Sequence, residues 1–121
     1  MKKSILVIES SSVVRTILEF FLESEGFKVH TTAQGTEGLE KIHSSPYHLA
    51  IIGGDLPGLS GYEIIQEIRK VEHYKNLPIL LMTKGEPVDP EEFPDSGPLY
   101  LSELIEPEHL IRQVSQILDQ S

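Results

Sequence analysis

The sequence predicts a doubly wound α/β domain, a (βα)5 chain whose five strands form one parallel sheet. Short apolar runs of strand length alternate with segments whose apolar residues recur at helical spacing. The 121 residues suit a single domain over residues 1–121. Right-handed crossovers place helices on both faces of such a sheet. For a five-stranded chain of this length we expect the strand order 2-1-3-4-5.

The first half of the chain contains three strand-like runs: SILVIE (residues 4–9), FKVHTT (27–32) and HLAII (48–52). The first and third are apolar enough for burial on both faces, and the second alternates like a half-exposed strand. Behind serines 10–12, which can supply an N-cap, one helical face carries Val14, Ile17, Leu18 and Phe21. Gly26 is predicted to end that helix, and a weaker helix is predicted over residues 35–44.

The second half continues the alternation. Ser60 and Glu63 form a capping box before a helix with an apolar stripe. PILLMT (residues 78–83) and LYLS (99–102) are predicted strands. Pro107 marks the start of the last helix, whose apolar face comprises Leu110, Ile111, Val114, Ile117 and Leu118.

One segment breaks the pattern where a fourth helix is due. Residues 84–98 contain four prolines and almost no apolar periodicity. Proline inside a helix costs roughly 3 kcal/mol or more. We therefore expect the fourth helix to be reduced to a single turn near residues 90–93, or replaced by a loop.

Charge is unevenly distributed along the chain. The formal net charge is −9, and residues 85–111 hold eight acidic residues without a lysine or arginine. An acidic surface repels nucleic acid phosphates and attracts basic protein surfaces. We therefore expect no nucleic acid binding by this domain, and a protein partner with a basic surface.

Residue types and patterns that the sequence lacks exclude further classes of protein. The chain has no cysteine, which excludes disulfides and thiolate chemistry. No apolar run approaches the roughly 20 residues that span a membrane, and no two histidines stand at metal-ligand spacing. We expect a soluble, cytoplasmic protein without a membrane partner.

Four segments together resemble the receiver domain of two-component response regulators, over essentially the whole chain. ILVIESSSVVRTIL (residues 5–18) is similar to that family's first strand, acidic pair and first helix, and LPGLSGYEIIQEIR (56–69) to its M-P-x-M-D-G segment. LPILLMT (77–83) is similar to the fourth strand with its terminal hydroxyl, and YLSELIEPEHL (100–110) to the fifth strand and the loop after it. The resemblance implies a flavodoxin-like fold with its site at the carboxyl ends of the strands.

Working receivers take a phosphoryl group from a histidine kinase onto an aspartate. Clustered carboxylates hold Mg²⁺, and the metal and a lysine neutralise charge on the transferring group. The resemblance implies that the family's acidic pair falls on Glu9 and Ser10, so one carboxylate of the pair remains. The acceptor lies four residues before the proline of the family segment; with Pro57 as that proline, the acceptor position is Gly53.

Further positions follow from the same resemblance. The family's lysine falls on Glu103, a reversal of charge; the hydroxyl is kept as Thr83, and the switch aromatic is Tyr100. Asp55 is the candidate substitute acceptor and, with Glu9, a candidate Mg²⁺ ligand, but a continued strand would place it roughly 6–7 Å beyond residue 53. We therefore expect no catalytic residue, no metal and no cofactor.

These departures predict an atypical receiver domain that acts without phosphorylation, as a protein-interaction module and not an enzyme. The resemblance implies a signalling protein as partner, such as a histidine kinase or another regulator. The predicted contact face combines switch positions with acidic residues, namely Thr83, Tyr100, Glu86, Glu103 and Glu106.

Three alternatives stay open at this stage. Asp55 accepts a phosphoryl group, or the domain occupies a kinase or phosphotransferase without being modified. In the third, serines 10–12 at a helix N-terminus bind an anion or cofactor, as flavodoxins bind flavin phosphate. Against this last reading, the chain has no tryptophan and Glu9 would repel phosphate.

Overall fold

The structure is a computed structural model that describes residues 2–53, 56–83, 97–103 and 107–119, with residues 101 and 103 described in their backbone. Five strands and four α-helices lie in these ranges. The strands are β1 (Ser4–Ile8), β2 (Lys28–Thr32), β3 (Leu49–Gly53), β4 (Ile79–Thr83) and β5 (Leu99–Glu103). The α-helices are α1 (Ser12–Ser24), α2 (Gly35–Ser44), α3 (Gly61–Arg69) and α4 (Pro107–Asp119), with a short 3₁₀ helix at Glu72–Tyr74.

The strands form one parallel sheet in the order β2-β1-β3-β4-β5. This confirms the predicted flavodoxin-like fold and its strand order. The predicted reduction of the fourth helix falls within residues 84–96, outside the described residues. None of the helices in the described ranges has the length and apolar character that a bilayer span requires.

The core lies in two layers, one on each face of the sheet. One layer joins inward side chains of β1, β3 and β4 to the apolar faces of α2 and α3, and includes Ile8, Ile52 and Leu81. The other joins the opposite side chains of the same strands to α1 and α4. Because successive residues of a strand alternate between faces, the central strands are apolar throughout, as the sequence predicted.

Two helices begin with side-chain N-caps at positions predicted from the sequence. The hydroxyl of Ser11 accepts from the backbone N–H of Val14 at 3.3 Å. At α3, Ser60 and Glu63 exchange hydrogen bonds in the predicted capping box. The start of α1 is thereby held directly beside the end of β1.

Strand ends differ from the predictions by about one residue. β1 ends at Ile8, so Glu9 lies just beyond the strand, although its backbone N–H still donates to Thr32 O. β3 begins at Leu49 and extends to Gly53, because Gly53 pairs with Met82 of β4. The predicted acceptor position therefore lies inside the sheet.

Candidate functional site at the carboxyl ends of the strands

The register of the sheet brings the predicted site positions to one edge. Ile8 is paired with Ile52, so Glu9 comes directly beside Gly53. Met82 pairs with Gly53 on one side and with Ser102 on the other. Glu9, Gly53, Thr83 and the backbone of Glu103 therefore lie along the same end of four adjacent strands. Tyr100, which pairs with Leu80, lies nearer the amino end of β5.

Glu9 is a buried carboxylate at this edge. Only 8% of the residue is exposed. Its Oε1 accepts a hydrogen bond from the backbone N–H of Ser11 at 3.3 Å. Burial of a carboxylate is costly unless donors support it, so this hydrogen bond helps to hold the side chain across the edge of the sheet.

Gly53 lies against that carboxylate. A Cβ atom on residue 53 would overlap with Glu9 Oε2 and would stand 2.9 Å from Glu9 Cδ. The positive-φ glycines of the described residues are Gly26, Gly58 and Gly97, so Gly53 has a backbone conformation that other residues adopt. Glycine at position 53 therefore leaves space for the flexible end of the Glu9 side chain and is not needed for backbone geometry.

Arg15 supports the turn between β1 and α1. Its Nη1 donates to the backbone carbonyls of Glu9 at 2.7 Å and of Ser10 at 2.9 Å. We did not predict this contact from the sequence. Helical side chains point toward the N-terminus of their helix, so an arginine in the first turn of α1 could have indicated a contact with the preceding turn. The guanidinium places positive charge next to the site, on the backbone side of Glu9.

The switch positions at β4 and β5 are only partly buried. Thr83 Oγ1 donates to Ser102 O at 3.5 Å, at the outer limit of a hydrogen bond. Tyr100 is half-buried and packs against the core layer under α1 and α4, so part of its ring serves the core. The backbone of Glu103 is paired with Thr83. The side chain of Glu103 lies outside the described part.

The structure thus brings together some predicted site residues and leaves others untested. Glu9 lies beside Gly53, Ser10 follows Glu9 in the chain, and Thr83 lies at the end of the next strand. Asp55, the candidate substitute acceptor, is outside the described residues, as are Glu86 and Glu106 of the predicted contact face.

The described donor set does not fit a bound Mg²⁺ ion. In the described ranges, no three acidic or histidine side chains are grouped so that they could hold a metal. Mg²⁺ requires near-octahedral oxygen ligands and gives up its water reluctantly. At the junction of β1 and β3, Glu9 supplies a carboxylate and Gly53 supplies none.

Comparison with known proteins identifies the family. Residues 5–98 match the response regulator receiver domain family. The CpxR homolog of Haemophilus influenzae, a transcriptional regulatory protein, is 36% identical over 86 residues, which are 70% of this chain and 36% of that protein. The chain spans about a third to a half of the length of the curated relatives it matches.

Solved structures share the fold over nearly the whole chain. The receiver domain of a sensor histidine kinase from Pseudomonas aeruginosa, with a magnesium ion coordinated in its active site cleft, is 25% identical; the match has a TM-score of 0.85 and covers 98% of this chain and 99% of that one. The response regulator TrrA from Thermotoga maritima, in complex with Mg²⁺ and BeF, is 29% identical; the TM-score is 0.80, with 95% and 98% covered. The chain therefore belongs to the response regulator receiver domain family of two-component signalling.

Proposed function

We propose that residues 1–121 form one receiver domain that works in two-component signalling without being phosphorylated, as a protein-interaction module. One observation carries this proposal. The position that corresponds to the family's phosphoacceptor is Gly53, which has no nucleophilic side chain. The space next to it is filled by the carboxylate of Glu9.

Two further features support the proposal chemically. Phosphoryl transfer depends on cations that neutralise charge on the transferring group. The family's lysine corresponds to Glu103, which adds negative charge where the reaction needs positive charge. The cation described near this edge, Arg15, donates to two backbone carbonyls instead. The role proposed here is therefore non-enzymatic.

We also propose that this domain works without Mg²⁺. The receiver domain from Pseudomonas aeruginosa and TrrA from Thermotoga maritima hold that ion in their solved structures. In this chain the acidic pair is reduced to Glu9, with Ser10 beside it, and the acceptor carboxylate is replaced by glycine. Too few carboxylates remain to replace the water that the ion would lose.

The partner we propose is a signalling protein with a basic surface, such as a histidine kinase or another regulator. Residues 85–111 contain eight acidic residues and no lysine or arginine, which supports a partner with a basic surface. Glu108, at the start of α4, is exposed. The same charge argues against nucleic acid as a partner of this domain.

Intact-mass spectrometry tests this function. The protein is incubated with Mg²⁺ and acetyl phosphate at neutral pH, and its mass is measured without an acid quench. We expect no added phosphoryl group, in the unaltered chain or in the matched variant Asp55→Asn. A stoichiometric adduct on the unaltered chain that disappears in Asp55→Asn would overturn the proposal, because Asp55 would then be a working acceptor.

A further inference from the structure

We infer that Glu9 is the built-in occupant of the acceptor pocket, so that residues 9 and 53 form a coupled pair. The site keeps a carboxylate, but the side chain that supplies it comes from the end of β1 instead of β3. This inference rests on the proposed function in one respect, which is that residue 53 is the acceptor position.

A side chain at residue 53 would meet the carboxylate of Glu9. Its Cβ would overlap with Glu9 Oε2 and stand 2.9 Å from Glu9 Cδ, well inside contact distance. The next nearest atom is the carbonyl oxygen of Ile8, at an ordinary contact distance of 3.4 Å. Among the described residues, the nearest obstacle to a Cβ atom at residue 53 is therefore the Glu9 carboxylate.

Hydrogen bonds of the neighbouring backbone hold Glu9 in this place. Residue 9 directly follows β1 and is beside Gly53 in the sheet register. Its backbone N–H donates to Thr32 O at 3.0 Å, and Arg15 binds its carbonyl at 2.7 Å. Ser11, the N-cap of α1, donates its backbone N–H to the carboxylate. Neighbours on both sides of Glu9 thus direct a buried side chain toward residue 53.

The position of the Glu9 side chain restricts which residues fit at position 53. The Glu9 side chain occupies the space beside residue 53 whether or not a kinase is present, since it belongs to the chain itself. A new side chain at residue 53 must first displace Glu9. A single substitution at residue 53 therefore perturbs the pocket, whereas paired changes at residues 9 and 53 relieve the conflict.

A double-mutant cycle measured by urea unfolding tests the coupling. With Glu9 present, Gly53→Ala should lower the folding equilibrium constant by about fivefold, because the carboxylate loses its place and its hydrogen bond to Ser11. In the Glu9→Ala background the same change should raise it by about threefold, because alanine is favoured over glycine inside a strand. The sign of the effect thus reverses.

Two controls separate volume from charge and local from general effects. Glu9→Gln keeps the size of the side chain, so Gly53→Ala should remain unfavourable in that background. Gly35→Ala introduces a Cβ against Ile64 and Leu59 at the start of α2, so its effect should be the same with and without Glu9→Ala. Equal effects of Gly53→Ala in the Glu9 and Glu9→Ala backgrounds would overturn the inference.

The amide resonance of Ser11 gives a second measurement that does not depend on stability. Displacement of the carboxylate by Gly53→Ala should shift the Ser11 amide proton, and Gly35→Ala should not. An unshifted Ser11 resonance in folded Gly53→Ala protein would contradict the inference. If Gly53→Ala does not fold, recovery of folding by added Glu9→Ala supports it and failure to recover opposes it. Phosphorylation of the unaltered chain at Asp55 would instead refute the proposed function and leave this cycle interpretable.

Discussion

At each end of the sheet a glycine makes room for a buried charged side chain. At the carboxyl ends, Gly53 leaves space for Glu9. At the amino ends of β4 and β5, a Cβ on Gly97 would stand 2.8 Å from the guanidinium of Arg69. The buried side chains of Glu9 and Arg69 differ in the hydrogen bonds that compensate for their burial.

Arg69 is bound on several sides. Its guanidinium donates to the carbonyls of Tyr74 at 2.9 Å, Leu77 at 2.7 Å and Pro98 at 3.3 Å. Burial lowers the pKa of Arg69, but an arginine stays charged across the physiological range. The guanidinium thereby ties α3, the 3₁₀ turn and the approaches to β4 and β5 into one unit.

A second polar contact extends this amino-end network to β3. The hydroxyl of Tyr74 accepts from the backbone N–H of Tyr47 at 2.9 Å and donates to the carbonyl of Ser45 at 3.0 Å. Glu9, by contrast, receives the Ser11 N–H at a longer 3.3 Å. We therefore expect the amino-end network to contribute more to the stability of the fold than the Glu9 contact at the carboxyl end.

The largest effect is expected for Arg69→Ala. Removing the guanidinium leaves three backbone carbonyls without that donor, and hydrogen bonds to charged groups contribute about 1.5–3 kcal/mol each before non-additivity. We expect the free energy of unfolding to fall by about 3 kcal/mol or more in urea titrations. Arg112→Ala, which changes an exposed arginine of α4, should cost less than about 0.5 kcal/mol. Similar losses for the two variants would remove the basis of the comparison.

Tyr74→Phe should be the next largest. The change deletes a hydroxyl that serves a buried N–H and a carbonyl, so the loss should be about 1–2 kcal/mol. Tyr47→Phe is the matched variant, because it deletes a hydroxyl that contacts His30 Nδ1 at 2.8 Å and leaves no backbone group unpaired. Urea unfolding should show the smaller loss for Tyr47→Phe. The reverse order would mean that the Tyr74 hydroxyl does not organise the amino end.

Thr83→Val examines the carboxyl end in the same way. Valine matches the shape of threonine and removes only the hydroxyl, whose contact with Ser102 O is 3.5 Å long. We expect a change in the free energy of unfolding within about 0.5 kcal/mol. A loss of the size expected for Tyr74→Phe would show that the switch hydroxyl supports the fold, contrary to the contrast between the two ends.

The smallest effect concerns stability at high pH. Burial, together with Tyr74, raises the pKa of Tyr47 above its ordinary value of 10.0. The folded state therefore keeps the Tyr47 proton at a pH where the unfolded chain loses it. Protonated Tyr47 contributes fully to stability below pH 10, and this contribution declines as the pH rises toward the folded pKa. Urea midpoints measured from about pH 8 to about pH 11 should fall less steeply for Tyr47→Phe than for the unaltered chain. Parallel curves would contradict the raised pKa.

Much of the fold could be predicted because its signals are local. Apolar runs and helical spacing located the strands and helices, and the Ser60 and Glu63 pair marked the start of α3. Strand ends were less certain: Glu9 was placed within β1, and Gly53 outside β3. Where a strand ends depends on the pairing of its last residue, here Gly53 with Met82, and that pairing lies across the sheet.

The candidate site was predictable as positions but not as a geometry. The family likeness located Glu9, Gly53 and Thr83 by their spacing from strands and from Pro57. No spacing indicates that Glu9 fills the place beside Gly53, because this contact depends on the register of β1 against β3 and on the start of α1. The Arg15 contacts depend on the same turn.

By itself, then, the sequence predicted the layered α/β fold from local periodicity, and the family resemblance implied the altered site positions. The tertiary structure alone decided which charges are buried and what holds them. Arg69 meets the carbonyl of Pro98, 29 residues further along the chain, and Glu9 meets a glycine 44 residues further along. Such contacts depend on how segments that are distant in the sequence pack together, and the periodicity of the sequence carries no information about that packing.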